Sequence, residues 1–296
     1  MNAPDTPIVV FGEVLFDCFP DRNVLGGAPF NVAWNLRALG ADPLFIGAVG
    51  DDERGREVRA AMRSIGLDER GLQTDPVHPT GQVQVHFEDG EPQYAILAQQ
   101  AYDFIDGEAA LTASETLAGG ILYHGSLALR DAQSRSALEA LRAIRPWRIF
   151  LDVNLRAPWW DGDGVRRLMD AATWVKLNRD ELHVLAGGSG DDQTLARALV
   201  GRHALEAAIV TLGADGALHV AADGSVLRIA APEPAHFRDP VGAGDAFSAV
   251  VLLGLARGWN PQLTLERAAA FAARICGLRG ATTADPAFYV PVREAW

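Results

Sequence analysis

Short apolar runs that are typical of buried strands alternate with segments of helical periodicity along most of this chain. Strands that are apolar on both faces, separated by helices, predict a mostly parallel sheet with helices on both sides. In such folds, ligands bind at the carboxyl ends of the strands. The predicted strands lie at residues 7–19, 43–50, 120–126, 148–155, 173–178 and 207–213. The predicted helices lie at residues 30–39 (with Gly40 as C-cap), 52–66, 132–144, 164–171, 179–186 and 194–200.

One region departs from this pattern. Between residues 80 and 104, the stretch GQVQVHFEDGEPQYAIL alternates polar and apolar residues, and Asp89-Gly90 marks a hairpin turn. Alternation indicates a sheet with one covered face and one wet face. We therefore expect a small β lid formed by about residues 17–24 and 80–104, attached to one α/β domain that spans residues 1–296.

Composition excludes several classes of protein. The chain of 296 residues has 49% hydrophobic and 22% charged residues and a net charge of −12, which argues against nucleic-acid and membrane partners. Its two cysteines, Cys18 and Cys276, form no metal-binding spacing and no disulfide framework. The N-terminal stretch MNAPDTPIVVFGE has no basic region, so we interpret it as an exposed tail entering a strand and not as a signal peptide. The charge-free apolar stretch 246–256 is 11 residues long, too short to span a bilayer. A cytoplasmic location is expected.

Familiar nucleotide-binding motifs are missing. A P-loop cannot occur, because Lys176 is the only lysine and Leu177 follows it. The Rossmann pattern fails at GAGDAF, where Phe247 replaces the third glycine. We attribute the preference for arginine over lysine to coding bias, without functional meaning.

The stretch RDPVGAGDAFSAV combines a glycine-rich turn, a helix start and an acid. Gly242 and Gly244 allow unusual backbone conformations, and free amides at a helix start bind anions without a cationic side chain. Asp245 would be a carboxylate there, able to accept a proton from a nearby hydroxyl. Taken alone, the motif fits an ordinary acidic residue in the first turn of a helix better than a catalytic one.

Together with LGGAPFNVAWNLRALG, the stretch DPVGAGDAF resembles the paired signatures of the ribokinase-like (PfkB) carbohydrate kinase family. Between them, LDVNLR, KLNRDE and VTLGADG are similar to further family elements in the same order. The resemblance covers nearly the whole chain. It implies a three-layer α/β sandwich with a mostly parallel central sheet and a small β lid, and an ATP-dependent sugar kinase.

The resemblance also assigns catalytic roles. Asp245 would be the general base that takes the proton of the sugar hydroxyl. Gly242, Ala243 and Gly244 would supply the amides of the anion hole for the transferring phosphoryl group, which fits the need of phosphoryl transfer for positioning and charge neutralisation.

ATP and Mg²⁺ are the expected co-substrate and metal. Asn178, Thr211 and Gly213 would line the nucleotide site, and Glu181 would act on Mg²⁺ through water. By spacing alone, Asn178 and Glu181 fit equally well a helix cap with its capping-box acid. A monovalent cation such as K⁺ is expected by analogy near three further residues, Asp239, Val241 and Gly280.

For the sugar, the resemblance points to short polar side chains and to close backbone, which suit a ligand with many hydroxyl groups. The expected sugar-binding residues are Asp17, Gly26, Gly27, Asn31 and Arg156. Asp152 and Asn154 would shape the loop that carries Arg156, although residues of this kind are also common in plain strand-end turns.

Within the family, the turn GGAPFN, the stretch GEVLFD before it and YHGS look like those of fructokinases. We therefore expect phosphorylation of fructose at O6. The alternatives are kinases for 2-keto-3-deoxygluconate, tagatose-type sugars, ribose or nucleosides, and a non-catalytic sugar or nucleotide sensor of the same fold. The segment Ala101–Asp106 has no assigned sugar contact. The lid would exclude water, and its apolar outer face would pair two subunits into a homodimer.

Overall fold

The computed structural model describes residues 5–88 and 91–296, so the start of the predicted N-terminal tail and the predicted Asp89-Gly90 turn lie outside the described residues. The strands are β1 (Ile8–Phe11), β2 (Leu15–Cys18), β3 (Asn23–Gly26), β4 (Leu44–Gly50), β5 (Leu72–Asp75), β6 (Gly81–Glu88), β7 (Glu91–Ile96), β8 (Gly120–His124), β9 (Trp147–Asp152), β10 (Trp174–Asn178), β11 (Ala207–Thr211), β12 (Ala217–Ala221) and β13 (Val226–Ile229). The helices are α1 (Ala28–Ala38), α2 (Glu53–Ile65), α3 (Gly107–Ala113), α4 (Ala132–Ile144), α5 (Gly162–Asp170), α6 (Arg179–Ala186), α7 (Asp192–Arg202), α8 (Ala243–Arg257), α9 (Pro261–Ile275) and α10 (Pro286–Glu294).

The central sheet has nine strands in the order β13-β12-β11-β10-β9-β8-β1-β4-β5. The strands from β11 to β5 pair in parallel, which confirms the prediction from the alternating pattern. Strands β12 and β13, which the sequence analysis did not identify, add an antiparallel edge.

Alternate residues of β1 show why the sheet has helices on both faces. Ile8 and Val10 belong to one hydrophobic core with residues of α1, α8 and α9. Val9 and Phe11 belong to another core with residues of α4. Because successive strand side chains point to opposite faces, every residue of β1 is buried. The predicted three-layer sandwich is confirmed.

A second sheet of four strands, in the order β3-β2-β6-β7, lies beside the central one. On β6 the buried Val83 and Val85 alternate with the exposed Gln84. Val83 packs with Leu15 and Tyr102 into a small core. This apolar face of β6 is therefore turned inward, and the predicted pairing of two subunits through the lid stays a prediction.

The second sheet is also shorter than the predicted lid. It ends at Ile96, and Ala101–Phe104 forms a short 3₁₀ helix instead of lid strand. Backbone bonding ties this segment to the chain below the lid, since the Ala101 amide donates to the Pro79 carbonyl at 2.8 Å.

Helix boundaries follow the polar and glycine signals of the sequence. The Asp52 side chain caps α2 at the Gly55 amide, and Gly66 ends that helix in the left-handed conformation. Helix α1 ends one residue earlier than expected, with Leu39 as its C-cap and Gly40 following at φ +92°. Over the described ranges, no helix is long and apolar enough to cross a membrane.

Candidate active site

The amino terminus of α8 points its free amides toward the carboxyl ends of the central strands. Gly242 precedes the helix at φ +81°, and a Cβ there would lie 2.2 Å from the Ala281 side chain, so only glycine fits this turn. The Ala246 amide makes the first intrahelical bond, to the Gly242 carbonyl at 2.8 Å. The amides of Gly244 and Asp245 come before it and have no partner within the helix. They form, with the helix dipole, an anion-binding position.

The three predicted anion-hole amides are not equivalent. The Ala243 amide donates to the Pro240 carbonyl at 3.2 Å, a long bond that closes the turn. The Gly244 amide precedes the first intrahelical bond, so it is the more available donor for a phosphoryl oxygen. The anion hole itself stays a prediction.

Asp245 is partly buried at this helix end and accepts a hydrogen bond of 2.8 Å from the Asn31 side-chain amide. Burial raises the pKa of Asp245 to about 6. The Asn31 bond and the charges of Lys176 and Arg156 oppose this shift, whereas Asp152 adds to it. A carboxylate whose pKa lies just below neutral is suited to accept a proton during catalysis.

Two predicted sugar-binding residues, Asp17 and Arg156, are electrostatic neighbours of this centre. Burial raises the pKa of Asp17 to about 6, and the Arg156 guanidinium opposes that rise. Arg156 also lowers the pKa of Asp245, so its charge acts on both acids. Its side chain is exposed and donates to the Leu155 carbonyl at 3.2 Å.

Close backbone packing explains the glycine pair between β3 and α1. Gly27 has φ +104°, and a Cβ there would lie 2.7 Å from the Glu13 carbonyl oxygen. A Cβ on Gly26 would lie 3.7 Å from the Asp17 carboxylate. The pair therefore brings backbone next to Asp17 and starts the helix that carries Asn31.

Glu13 is a buried acid of this centre that the sequence analysis quoted within GEVLFD but did not single out. Its side chain is 2% exposed, and its Oε2 atom has no hydrogen-bond partner among the described residues. Burial raises its pKa to about 7, with Arg156 opposing and Asp245 adding to the shift. The sequence signal for it was an acid inside the apolar stretch at residues 7–19.

A cleft of about 520 Å³ continues from the anion-binding position. It brings together the predicted nucleotide residues Asn178, Thr211 and Gly213 with Ala243 and Gly244. Asn178 and Thr211 are register partners at the ends of β10 and β11, which explains their proximity. The apolar part of its wall was not predicted; it includes Pro232, Pro234, Phe237, Ala272, Ala273 and Cys276.

Asn178 and Glu181 form the capping box that their spacing also predicted. The Asn178 side chain accepts from the Glu181 amide at 2.9 Å, and Glu181 Oε2 accepts from the Asn178 amide at 2.8 Å. Glu181 Oε1 accepts from the Leu155 amide at 2.8 Å. Because each carboxylate oxygen has a further lone pair, Glu181 still fits a water of a hydrated Mg²⁺. The described part of the chain has no group of three or more His, Cys, Asp or Glu that would hold a metal directly.

The three residues predicted for a monovalent cation lie together. Asp239 accepts from the Val241 amide at 3.0 Å and from the Gly280 amide at 3.2 Å. The carboxylate thus joins the loop before α8 to the loop after α9. An acidic group and clustered backbone are compatible with a cation there.

Lys176 and Asp152 form a buried pair behind the helix start. The Lys176 ammonium lies 3.0 and 3.1 Å from the two Asp152 carboxylate oxygens. Ser248 of α8 donates to Asp152 Oδ2 at 2.7 Å. Asp152 therefore anchors α8 to β9 and β10, beyond the loop-shaping role that was expected of it.

Comparison with known proteins identifies the class that this fold and site define. The model of the pfkB family carbohydrate kinases matches residues 5–287. The chain belongs to this family and is a carbohydrate kinase.

Two characterised relatives show how far the similarity extends. The chain is 31% identical to a fructokinase of Escherichia coli over 96% of each protein. It is also 31% identical to an aminoimidazole riboside kinase of Salmonella typhimurium, over 94% of this chain and 91% of the relative.

Solved structures agree. The aminoimidazole riboside kinase from Salmonella enterica, complexed with aminoimidazole riboside and an ATP analog, is 27% identical, with a TM-score of 0.82 over 97% of this chain and 99% of that one. A double mutant of the fructokinase from Vibrio cholerae, with fructose, ADP and potassium ion bound, is 26% identical, with a TM-score of 0.78 over 98% of this chain and 99% of that one.

Proposed function

We propose that this protein transfers the γ-phosphoryl group of ATP to O6 of fructose. The observation that carries the proposal is the 2.8 Å bond between Asn31 and Asp245, beside the free amide of Gly244 and the adjoining cleft. This bond brings together a residue from the predicted sugar-binding helix and the predicted base. A nucleotide in the cleft would present its phosphate to the same helix end.

The proposed reaction breaks one bond to the γ-phosphorus, forms another, and passes one proton to a side chain of this protein. The sugar hydroxyl oxygen forms a bond to the γ-phosphorus while the bond from that phosphorus to the β–γ bridging oxygen breaks, and ADP leaves. The hydroxyl proton passes to Asp245, whose pKa of about 6 leaves it ionised at neutral pH. The Gly244 amide stabilises negative charge on the transferring phosphoryl group. The amides of Gly242 and Ala243 assist it, although the Ala243 amide also donates to the Pro240 carbonyl.

Mg²⁺ bound with ATP would neutralise phosphate charge, and Glu181 would hold one of its waters. The contacts of Glu181 leave it able to accept from a water but make a direct, bidentate contact to the ion unfavourable. For K⁺, the support is the clustering of Asp239, Val241 and Gly280 and the potassium ion bound in the similar Vibrio cholerae fructokinase.

Fructose is preferred because several similar proteins are fructokinases. Polar groups near the base support a ligand with hydroxyl groups, since Asn31 contacts Asp245 and the charge of Arg156 acts on both Asp245 and Asp17. A nucleoside acceptor is the second candidate, since the similar aminoimidazole riboside kinase structure binds aminoimidazole riboside. In either case the second sheet would act as a lid that excludes water.

A homodimer through the lid also stays a proposal. The apolar face of β6 packs within the chain, so the support is the exposed ring of Tyr94 on β7, which lies on the same face of the sheet as its register partner Val85 and is 55% exposed. Subunit association would cover that ring.

The test is ADP release with ATP, Mg²⁺ and a panel of acceptors: fructose, tagatose, ribose, 2-keto-3-deoxygluconate and aminoimidazole riboside. We expect the highest kcat/KM with fructose and fructose 6-phosphate as the product by NMR. A preference for aminoimidazole riboside would identify a nucleoside as the acceptor and leave the proposed phosphoryl transfer unchanged. Absence of turnover with every acceptor, in a protein that still binds ATP, would favour the sensor.

A further inference from the structure

The chain's only lysine is buried within the phosphoryl-transfer centre. Lys176 is 7% exposed in the middle of β10, and its ammonium contacts both carboxylate oxygens of Asp152, at 3.0 and 3.1 Å. The Ser248 hydroxyl also donates a hydrogen bond of 2.7 Å to Asp152 Oδ2. The ammonium is therefore fixed in place, unlike that of a surface lysine on a mobile stem.

The position of this ammonium relates it to the anion-binding amides. A Cβ built on Gly244 would lie 3.3 Å from Lys176 Nζ, so the ammonium sits immediately behind the Gly244 backbone. Glycine at this position thus does two things: it leaves its amide free at the helix start, and it leaves room for the ammonium. The positive charge of Lys176 therefore lies close to the Gly244 backbone, whose amide is free at the start of α8.

The same ammonium acts on three carboxylates. Burial alone would lower the pKa of Lys176, but Asp152, Glu181 and Asp245 together raise it above its ordinary value. In return, Lys176 lowers the pKa of Asp245, which burial and Asp152 raise. The charges of Lys176 and Asp152 thus shift the pKa of Asp245 in opposite directions.

Further titratable or polar groups face Asp245 from the elements around it. Besides Lys176 and Asp152, these groups are Asn31 on α1, Glu13 after β1, Tyr123 on β8 and Arg156 after β9. Arg156 is the other cation in this set, but it is exposed and its charge is screened by solvent. Lys176 is buried, and its effect on Asp245 is screened less.

We propose that Lys176 is a positioning residue of the kinase reaction: its ammonium, clamped by Asp152 behind Gly244, keeps Asp245 ionised so that Asp245 accepts the proton of the acceptor hydroxyl. The proposal rests on the proposed function of Asp245 as base. A pair that served stability alone would be replaceable by apolar side chains without any change in the pH dependence of the reaction.

The first experiment compares the acid limb of kcat/KM in Lys176→Met and wild type. Wild type should lose activity as the pH falls through about 6, because Asp245 becomes protonated. Without the ammonium, this limb should move to higher pH, by about one unit, and activity should partly recover at higher pH. An unchanged limb with a uniformly lower kcat would overturn the proposal.

A second variant covers the case in which Lys176→Met does not fold. Lys176→Met/Asp152→Asn leaves no unpaired buried charge, so it should fold better than the single variant. Because Lys176 lowers and Asp152 raises the pKa of Asp245, removing both should return the acid limb close to that of wild type. A limb that stays displaced in the double variant would contradict the opposition of the two charges.

The matched control is Arg130→Met. Arg130 forms a similar buried pair with Asp103, and Asp245 is not among the groups that act on it. We expect this variant to lose stability but to keep the acid limb within about 0.3 pH unit of wild type. An equal shift in both variants would mean that general loosening, and not the ammonium, moves the limb.

A measurement without turnover separates this inference from the proposed function. Because Lys176 is the only lysine, protein labelled with ¹³Cε-lysine gives a single lysine signal. Its chemical shift should change with a midpoint near pH 6 in wild type as Asp245 titrates, and this step should vanish in Asp245→Asn. If no acceptor is phosphorylated but the step is present, the proposed function fails and the electrostatic link remains. If fructose is phosphorylated and the step is absent, the inference fails alone.

Discussion

Two buried ion pairs, Lys176–Asp152 and Arg130–Asp103, have nearly the same geometry and very different surroundings. Lys176 approaches Asp152 at 3.0 Å, with side chains 8% and 1% exposed. Arg130 approaches Asp103 at 2.7 Å, with side chains 7% and 3% exposed. By distance and burial alone, the two pairs would be given the same role.

Their neighbours separate them. The Arg130 guanidinium lies over the rings of Trp159 and Tyr102, at 4.3 and 5.2 Å from their centres, and donates to the Leu97 carbonyl at 2.5 Å. It fixes the segment below the lid. Lys176 instead acts on Asp245 and Glu181, whereas Arg130 reaches Glu13 among the acids of the candidate site. The comparison teaches that the role of a buried ion pair depends on which other charges it reaches, because either pair costs desolvation and neither is needed for stability as such.

The largest effect that the comparison predicts is on stability, and it should be shared. Lys176→Met and Arg130→Met each leave a buried carboxylate unpaired, which costs about 3–5 kcal/mol in the free energy of unfolding. Urea unfolding at pH 7.5 measures both. A cost below about 1 kcal/mol for either variant would show that its carboxylate is hydrated or protonated and that the pair is not buried in solution.

A smaller effect on stability is expected at Glu13. Its charge acts on Arg130, and the charge of Asp245 raises the pKa of Glu13. Its pKa is raised from 4.5 to about 7, so the folded state binds its proton more tightly than the unfolded chain does. Stability from this group is fully present below pH 4.5 and is lost as the pH rises through about 7. Glu13→Gln removes that loss and should stabilise the protein by about 2–3 kcal/mol at pH 8.

Thermal unfolding of Glu13→Gln and wild type at pH 4.5 and pH 8 measures this difference. The two curves should nearly coincide at the lower pH, where the acid is already neutral. A variant that is less stable than wild type at pH 8 would mean that the carboxylate has polar partners there, and that its buried position does not oppose ionisation.

The fold was largely predictable because its signals are local. Continuous apolar runs identified the central strands, and Asp52, Gly66 and the Gly-rich turn at Gly242 marked helix ends. Strands β12 and β13 were missed because their short apolar runs are interrupted by His219 and Arg228, unlike the continuous apolar runs of strands buried on both faces. The segment Ala101–Phe104 was assigned to the lid because alternation does not show where a strand gives way to a 3₁₀ turn.

The site was predictable as a set of motifs but not as a set of charges. The sequence brought Asn31 and Asp245 to one centre, and the structure joins them at 2.8 Å. The burial of Glu13 and the position of Lys176 depend on how β1, β9, β10 and α8 pack together, which no local pattern encodes. Attributing the single lysine to coding bias overlooked where that lysine is.

The central claim, that Asp245 is the base of a sugar kinase, is tested most directly by Asp245→Asn assayed for ADP release with fructose and ATP. The amide keeps the size of the carboxylate but cannot accept the hydroxyl proton, so kcat should fall by roughly 10²–10⁴-fold. ATP affinity, measured alongside by calorimetry, should change by less than about threefold, because the cleft and the helix amides remain. A kcat within tenfold of wild type, with ATP affinity unchanged, would contradict the assignment of the base.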